Sequence, residues 1–407
     1  MKTPAHSLLG ASGAYRWLNC PGSFQLSLTA PYRPSSIYAV TGTVAHDYIE
    51  KAVRDAIAQG RRPGELMVDQ QRELGRVWSR EGHAVTVDQD FIDGINAMLD
   101  YVREAATQSD WCNVEFRIEL DDYFPKASPP PVNLFGRVDV ALLDLLTETL
   151  EVIDYKNGAG VIVTPIENPQ LLYYAAGVLR ALPDNQRRQV RRVKLTVVQP
   201  HAPGMNPVRS WETTAIDLLM WVDDTLVPGV NACARDDPPL VPGSWCRFCP
   251  ALHACPRLMQ DAVDMAKREF DDVMLPNDPD ELAKALDIAE RALTWAGALQ
   301  AHALEQLQRQ VRIPGWEMVP TRPTRKWVDD ESTTVGVLST LGVSDDVIWE
   351  TRLRSPAQVE KALVKTTKGR RVWQDQIADI LIESKSSGVK LARSQRADAK
   401  GEFQDAE

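Results

Sequence analysis

Four cysteines constrain this chain more than any other feature. Cys246, Cys249 and Cys255 form a C-x2-C-x5-C cluster followed at once by Pro256, and Cys20 stands more than 200 residues earlier, within Trp17-Leu18-Asn19-Cys20-Pro21. Four thiolates suit either a [4Fe–4S] cluster or a tetrahedral Zn²⁺. A zinc ribbon usually takes two C-x2-C pairs; this chain has one pair, one longer step and one remote cysteine. Either group would close a loop of over 200 residues and lower the entropy of the unfolded chain. Cys112 and Cys233 have no partners at ligand spacing and read as small buried apolar residues. His253, inside the cluster loop, reads as a local hydrogen-bonder.

The 407 residues allow two or three domains, and 44% hydrophobic with 25% charged residues is an ordinary globular balance. No apolar run approaches the length of a membrane span, and the N-terminus lacks a signal peptide's apolar core. The expected location is therefore cytoplasmic, with thiols or metal ligands rather than disulfides. Net charge is −10, yet residues 351–400 hold 12 Lys/Arg against 5 Asp/Glu, a local balance of +7. Such a stretch is either a solvated helical face or a contact for a polyanion. No G-x4-G-K-[ST] motif occurs, which excludes a nucleotide-driven motor of that type.

Hydrophobic periodicity places the elements. Helices are expected over 6–28 (entered through Ser12), 41–59 (started by Thr41 or Thr43), 84–108, 168–182 and 213–235, with strands over 114–120 and 191–199. Residues 134–144 and 150–156 are two apolar runs around a polar turn, hence a β-hairpin. Beyond Pro256 the chain is mainly helical to 311. Residues 315–327 are extended, short helices follow from 331, and the tail from about 385 is loosely ordered.

A second constellation has acidic chemistry. Asp154 and Lys156, two apart on one strand, face the same way, and Asp139 on the preceding strand can face them across the hairpin. Hard oxygen ligands hold Mg²⁺ or Mn²⁺, which polarises a phosphate and lowers the pKa of bound water. A neighbouring lysine positions that water or stabilises developing charge. His46 adds a borderline ligand, and Gln170 and Tyr174, four apart on a helix, share a face. Singly each of these residues is commonplace; their order is not.

That order, Gly42-Thr43-x-x-His46, Gly136-Arg137-Val138-Asp139, Ile153-Asp154-Tyr155-Lys156-Asn157-Gly158 and Gln170-x3-Tyr174, resembles the RecB-like branch of the PD-(D/E)XK nucleases. The cysteine pattern resembles its iron–sulfur subgroup, which includes AddB-type and CRISPR-adaptation nucleases. The overall layout, with Trp17-Leu18-Asn19-Cys20-Pro21, Glu167-Asn168-Pro169-Gln170, Val198-Gln199-Pro200, the cysteine cluster, then Gly315-Trp316 and Arg325-Lys326-Trp327, is similar to an exonuclease family of phages and prophages. The motifs cover residues 10–260.

The resemblance implies an α/β (α+β) fold with a restriction-endonuclease-like core. A mixed central sheet is flanked by helices and closed by a metal clasp of four cysteines, with a mainly helical C-terminal region beyond. Residues 1–262 would be the nuclease domain, 263–311 a helical connector and 312–407 a small C-terminal domain. It implies His46, Asp139, Asp154 and the Tyr155 carbonyl as metal ligands; Glu115 and Glu50 are extra carboxylates that stand as second choices. Asp139, Asp154, Lys156, Gln170 and Tyr174 are the implied catalytic set, and Cys20, Cys246, Cys249 and Cys255 the [4Fe–4S] ligands. Asp154 departs from the more usual Glu, which shortens the reach to metal.

The expected activity is Mg²⁺- or Mn²⁺-dependent hydrolysis of DNA, from ends, in phage recombination or replication. The expected partners are linear DNA ends, single strands included, and a phage single-strand-binding or annealing protein, with no membrane. The alternative is a catalytically silent DNA-binding or adaptor protein that keeps the fold and cluster. In the C-terminal region Trp316, Trp327, Arg322, Arg325 and Lys326 read as a small core with a solvated rim or as a single-strand contact.

Overall fold

A computed structural model describes residues 7–30, 35–61, 67–158, 161–202, 206–269, 279–320, 324–328, 330–349, 355–363, 382–385 and 389–393. The chain divides into two compact units, Met1–Trp295 and Ala296–Glu407, with the division inside the expected helical connector.

The first unit begins with α1 (Ala14–Asn19), α2 (Gly22–Leu28) and α3 (Ile37–Ala58). Ser12 does not cap α1, whose N-cap is Gly13. α3 starts before the expected Thr41 or Thr43, because Ser36 caps it by accepting from Ala39 N. The two threonine hydroxyls instead bond back to Ile37 O and Ala39 O, a helix-interior arrangement. A short helix α4 (Gln70–Glu73) and a hairpin, β1 (Val77–Arg80) with β2 (His83–Thr86), precede α5 (Gln89–Ala105). Residues expected to open a helix at 84 thus belong to a strand, and α5 starts at its Asp88 cap.

The central sheet follows: β3 (Trp111–Glu119), β4 (Phe135–Asp144), β5 (Thr149–Tyr155), α6 (Pro169–Ala181), α7 (Asp184–Arg187), β6 (Arg192–Val198) and β7 (Val208–Thr214). Its strand order is β3-β4-β5-β6-β7, antiparallel throughout except for the parallel β5–β6 pair, which α6 connects. The expected helix over 213–235 begins later, because Val208–Thr214 pairs with β6 as the edge strand. Thr214 then caps α8 (Ala215–Trp221), and a π-helical turn leads into α9 (Val227–Cys233).

One face of the sheet packs against α1, α2, α6, α8 and α9 around Trp17, Tyr173 and Leu218; the other packs against α3 and α5 around Ile49, Ile95 and Met98. The fit is close enough that α6 needs glycine at one point. A Cβ on Gly177 would lie 2.2 Å from Ile118 Cδ1. After α9 come the cysteine loops, then α10 (Pro256–Glu269) and α11 (Pro279–Gln308).

The second unit contains β8 (Trp316–Pro320), β9 (Thr324–Trp327), α12 (Glu331–Thr340), α13 (Asp345–Ile348), α14 (Pro356–Leu363), β10 (Ile382–Lys385) and β11 (Val389–Arg393). β8 pairs with β11 and β9 with β10, both antiparallel. The segment expected to be loose from 385 therefore contributes a strand. Trp327 packs against a small core of Leu338, Val343, Ile348 and Val359, as the core reading expected. Arg322 lies outside the described residues, as do 364–381 and 394–400 of the basic stretch.

Candidate metal and phosphodiester site

The sheet breaks its own pattern at one place. β4 and β5 pair from Asp144↔Thr149 to Val140↔Ile153 and then stop. The next pair would be Asp139 with Asp154. Instead Asp139 Oδ2 accepts the backbone N–H of Tyr155 at 2.7 Å, so a carboxylate takes the place of a ladder carbonyl. Asp139 thus meets Asp154 and Lys156 where the two strands separate, beyond the last ladder pair. Lys156 N donates to Val198 O, on the β6 side. The N–H and C=O of Tyr155 consequently turn the other way, toward β4.

The neighbouring pair breaks as well. β3 and β4 are in register on both sides, Val114↔Val140 and Phe116↔Val138, but Glu115 and Asp139 between them are unpaired. Glu115 adopts φ 48°, a left-handed conformation that costs a residue with a Cβ about 1–3 kcal/mol and persists only where surrounding structure imposes it. Side-chain alternation slips by one at this point. Val114 and Val140 pack with α3 and α5, whereas Phe116 and Val138, two residues on, pack against the opposite core. The slip turns Glu115 and Asp139 toward His46 of α3.

His46 Nδ1 lies 3.4 Å from Asp139 Oδ1 and 3.8 Å from Glu115 Oε1, and these three residues offer ligand atoms within 4.8 Å of one another. The His46 ring stands edge-on to Tyr155, 5.8 Å between centroids. Burial, then the Asp139 charge, pushes the Glu115 carboxyl up to about 7. Burial likewise raises Asp139, with His46 opposing and Asp154 adding to the shift. Two carboxyls held above their ordinary range beside an imidazole are short of positive charge, which a divalent cation would supply. The donor set of one imidazole nitrogen and hard oxygens fits Mn²⁺ or Mg²⁺.

Asp154 is 2% exposed. Lys156 Nζ stands 3.3 Å from its Oδ1 and 2.9 Å from its Oδ2; Gln170 Nε2 donates to Oδ1 at 3.1 Å. Among the described residues Oδ2 has no partner of hydrogen-bond geometry, so one buried carboxylate oxygen keeps lone pairs for a ligand. Lys156 also donates to Gln170 Oε1 at 3.1 Å, and Gln170 Nε2 reaches Tyr174 OH at 3.4 Å. Burial works against the Lys156 charge, but the Asp154 and Asp139 carboxylates outweigh it and hold the ammonium above its ordinary range. The Tyr174 phenol is raised by burial, then by the Asp154 charge.

The residues expected in the metal and catalytic sets thus gather at one end of β5, with Glu115 among the three grouped donors; Glu50, one turn after His46 on α3, pairs with Arg54 at 2.7 Å, and its charge adds to the rise of the Glu115 carboxyl. Gln170 follows directly from the helix start. Asn168 Oδ1 accepts from Gln170 N and Leu171 N, and Pro169 takes the first helical position. Gln199 is a residue to which sequence reasoning gives no role at the site. It is 1% exposed and uses its whole amide. It donates to Gly158 O (2.6 Å) and Val161 O (2.8 Å), and accepts from Val163 N (3.1 Å) and Arg209 (2.6 Å). It pins the loop that follows Lys156. A buried glutamine at a strand's end looks in sequence like any polar residue before a turn.

Residues 6–396 match the family described as "Protein of unknown function (DUF2800)". The chain belongs to that family. The DUF2800 match spans every candidate ligand from Cys20 to Cys255.

The four cysteines of this DUF2800 chain line one cavity, together with Arg16, Leu252 and Leu258. Val241 N points at Cys20 Sγ (3.3 Å) and Gly243 N at Cys246 Sγ (3.4 Å). Burial raises the Cys246 and Cys249 thiols, opposed at Cys246 by the Gly243 N–H and at Cys249 by the Ala251 N–H. Backbone donors aimed at sulfur favour thiolate, the form that binds metal. Among the described residues, no three of these sulfurs lie within 4.8 Å of one another. Cys233 is buried, its thiol pushed up to about 12 by burial, and it donates to Trp17 O at 3.7 Å. Cys112 is half-buried against the core under α3 and α5, its thiol likewise pushed up to about 12 by burial. Among the described residues, no helix is long and apolar enough to cross a membrane.

Proposed function

We propose that this protein is a divalent-metal-dependent deoxyribonuclease that hydrolyses phosphodiester bonds at DNA ends, with a restriction-endonuclease-like core. The observation that carries the reading is the fork between β4 and β5. There the Asp139 carboxylate replaces a ladder carbonyl and gathers His46 and Glu115 on one side, while Asp154, Lys156, Gln170 and Tyr174 form a chain on the other. His46, Asp139 and Asp154 would hold the cation, with Glu115 joining them and the Tyr155 carbonyl turned to the same side. When bound, Mg²⁺ or Mn²⁺ supplies Lewis-acid polarisation of the phosphate and a water of lowered pKa.

The chain's own groups do the rest. Lys156, held charged by two carboxylates, sits where it can orient the attacking water or balance charge building on the phosphate oxygens. Gln170 fixes both Lys156 and the Oδ1 of Asp154, while Oδ2 faces only the Lys156 ammonium and keeps lone pairs to coordinate. Tyr174 backs Gln170 and keeps its amide in one orientation. Gln199 ties Gly158, just after Lys156, to the end of β6 through its side-chain amide.

The cysteine cavity supports a [4Fe–4S] cluster over zinc in this reading. The single C-x2-C pair, the longer step to Cys255 and the remote Cys20 fit a cluster of four irons, each bound to one cysteine. The role is structural, since Cys20 is joined to loops that follow α9 and no ligand falls within the β4–β5 hairpin. The location that follows is cytoplasmic, and the partners are DNA ends and a phage single-strand-binding or annealing protein.

The test is substitution with a check on folding. Asp154→Ala and Lys156→Ala should each remove cleavage of linear DNA while leaving the circular-dichroism spectrum unchanged. Full activity in either variant would mean the hydrolytic site lies elsewhere.

A further inference from the structure

Beyond the slip at Glu115 and Asp139, β3 and β4 continue, and there Arg117 pairs directly with Arg137. Residues opposite one another in an antiparallel pair have Cβ atoms about 5 Å apart, and like charges so placed weaken a sheet. Their neighbours Phe116, Ile118 and Val138 face the core under α6, so both arginines stand on the other face. α3 and α5 cover that face before the slip, at Val114, Val140 and Leu142. After it, Arg117, Glu119 and Arg137 are exposed.

The two guanidiniums are prepared differently. Arg117 lies over the Phe135 ring, 4.3 Å from its centroid, and its Nε meets Glu119 Oε1 at 3.3 Å. Stacking on a ring fixes the guanidinium plane and leaves its edge available. Arg137 makes no hydrogen bond or ion pair among the described residues. Its charge nevertheless reaches Glu115, where it opposes the upward shift of the carboxyl. Each arginine is two residues from a candidate metal-site carboxylate on its own strand, about 6.7 Å along an extended chain. That step is comparable to the one between neighbouring phosphates of a nucleic-acid strand.

We propose that Arg117 and Arg137 clamp a backbone phosphate of the substrate strand next to the phosphate held at the carboxylate fork. This assignment rests on the nuclease reading and adds where the strand runs: across the uncovered half of the β3–β4 face. A phosphate between the arginines relieves the like-charge pair and takes bidentate hydrogen bonds from planar donors. Glu119 holds Arg117 in the free protein and yields to the phosphate. The contact reads no base, so it serves affinity and register rather than sequence choice.

The experiment measures binding of a labelled single-stranded oligonucleotide, with Ca²⁺ replacing Mg²⁺ and Mn²⁺ and NaCl varied. It compares the native protein with Arg117→Ala/Arg137→Ala, Arg117→Lys/Arg137→Lys and Glu119→Gln. Each phosphate of a single strand that a protein neutralises adds about 0.7 to the slope of log K against log salt. The double alanine variant should bind with a slope shallower by about that much and about tenfold more weakly. The lysine variant should keep the slope with weaker binding, and Glu119→Gln should bind about two- to threefold tighter. The melting temperature of the double alanine variant should match or exceed the native one, because a like-charge pair has been removed. Native-like slope and affinity in that variant overturn the clamp alone. A fall in its melting temperature, with the lysine variant also reduced, overturns it in favour of a structural role. No DNA binding by the native protein overturns the clamp and the nuclease reading together.

Discussion

Glu115→Gln separates the cost of the site from its use. The Glu115 side chain is 15% exposed, and burial first, then Asp139, pushes its carboxyl from an ordinary 4.5 up to about 7. Between those values the native state holds a proton that the unfolded chain has released. Native stability therefore falls as pH rises through about 4.5 to 7 and stays low above it. At 1.36 kcal/mol per pH unit the full gap is worth about 3 kcal/mol, and relaxation around the site leaves about 1–3 kcal/mol. Glutamine has nearly the same shape and carries no charge. In chelator at pH 8, Glu115→Gln should melt a few °C above the native protein; at pH 4.5 the two should melt together. With millimolar Mn²⁺ at pH 8 the order should reverse, because the native protein gains RT ln(1 + [L]/Kd) and the variant has lost a ligand. A variant no more stable than native at pH 8 in chelator, or a native protein indifferent to Mn²⁺, would refute the clustering of carboxylates described above.

Cys20→Ala should lose the iron and the broad absorbance near about 400 nm that thiolate-ligated iron gives, and should melt lower; iron analysis and spectra of anaerobically purified protein check this. A variant that stays fully iron-loaded removes Cys20 from the ligand set. Gly177→Ala should cost about 1–3 kcal/mol by overpacking, since the added methyl meets Ile118 at 2.2 Å, and chemical denaturation should show it. An unchanged midpoint would mean that α6 and β3 are not in contact there.

The sheet and its flanking helices were legible because hydrophobic runs and turn residues agreed. The 134–144 and 150–156 runs are β4 and β5, and the Asn168-Pro169 start of α6 carries both a cap and a first-turn proline. β7 was not legible. Its alternation, in a Val-Arg-Ser-Trp-Glu-Thr-Thr edge strand, is half exposed and runs straight into the α8 cap. Thr41 and Thr43 misled because threonine signals a helix start in sequence while its hydroxyl can equally bond back inside a helix.

At the site, the residues of the acidic motif were named and the geometry was not. In Val114-Glu115-Phe116-Arg117-Ile118-Glu119, Glu115 alternates like the solvent-facing Glu119, so it stands only as a second-choice ligand. Only the left-handed turn at Glu115, which switches faces in two strands at once, makes it a companion of His46 and Asp139. No local pattern predicts positive φ at a glutamate in a strand.

The most direct test is the fate of end-labelled linear DNA and of closed circular DNA incubated with anaerobically purified protein. The account predicts that Mn²⁺ or Mg²⁺ releases label from linear DNA, that chelator stops it, that the circle is cut far more slowly, and that Asp139→Asn is inactive while still carrying iron. Intact linear DNA after incubation of iron-loaded native protein with either metal would contradict it.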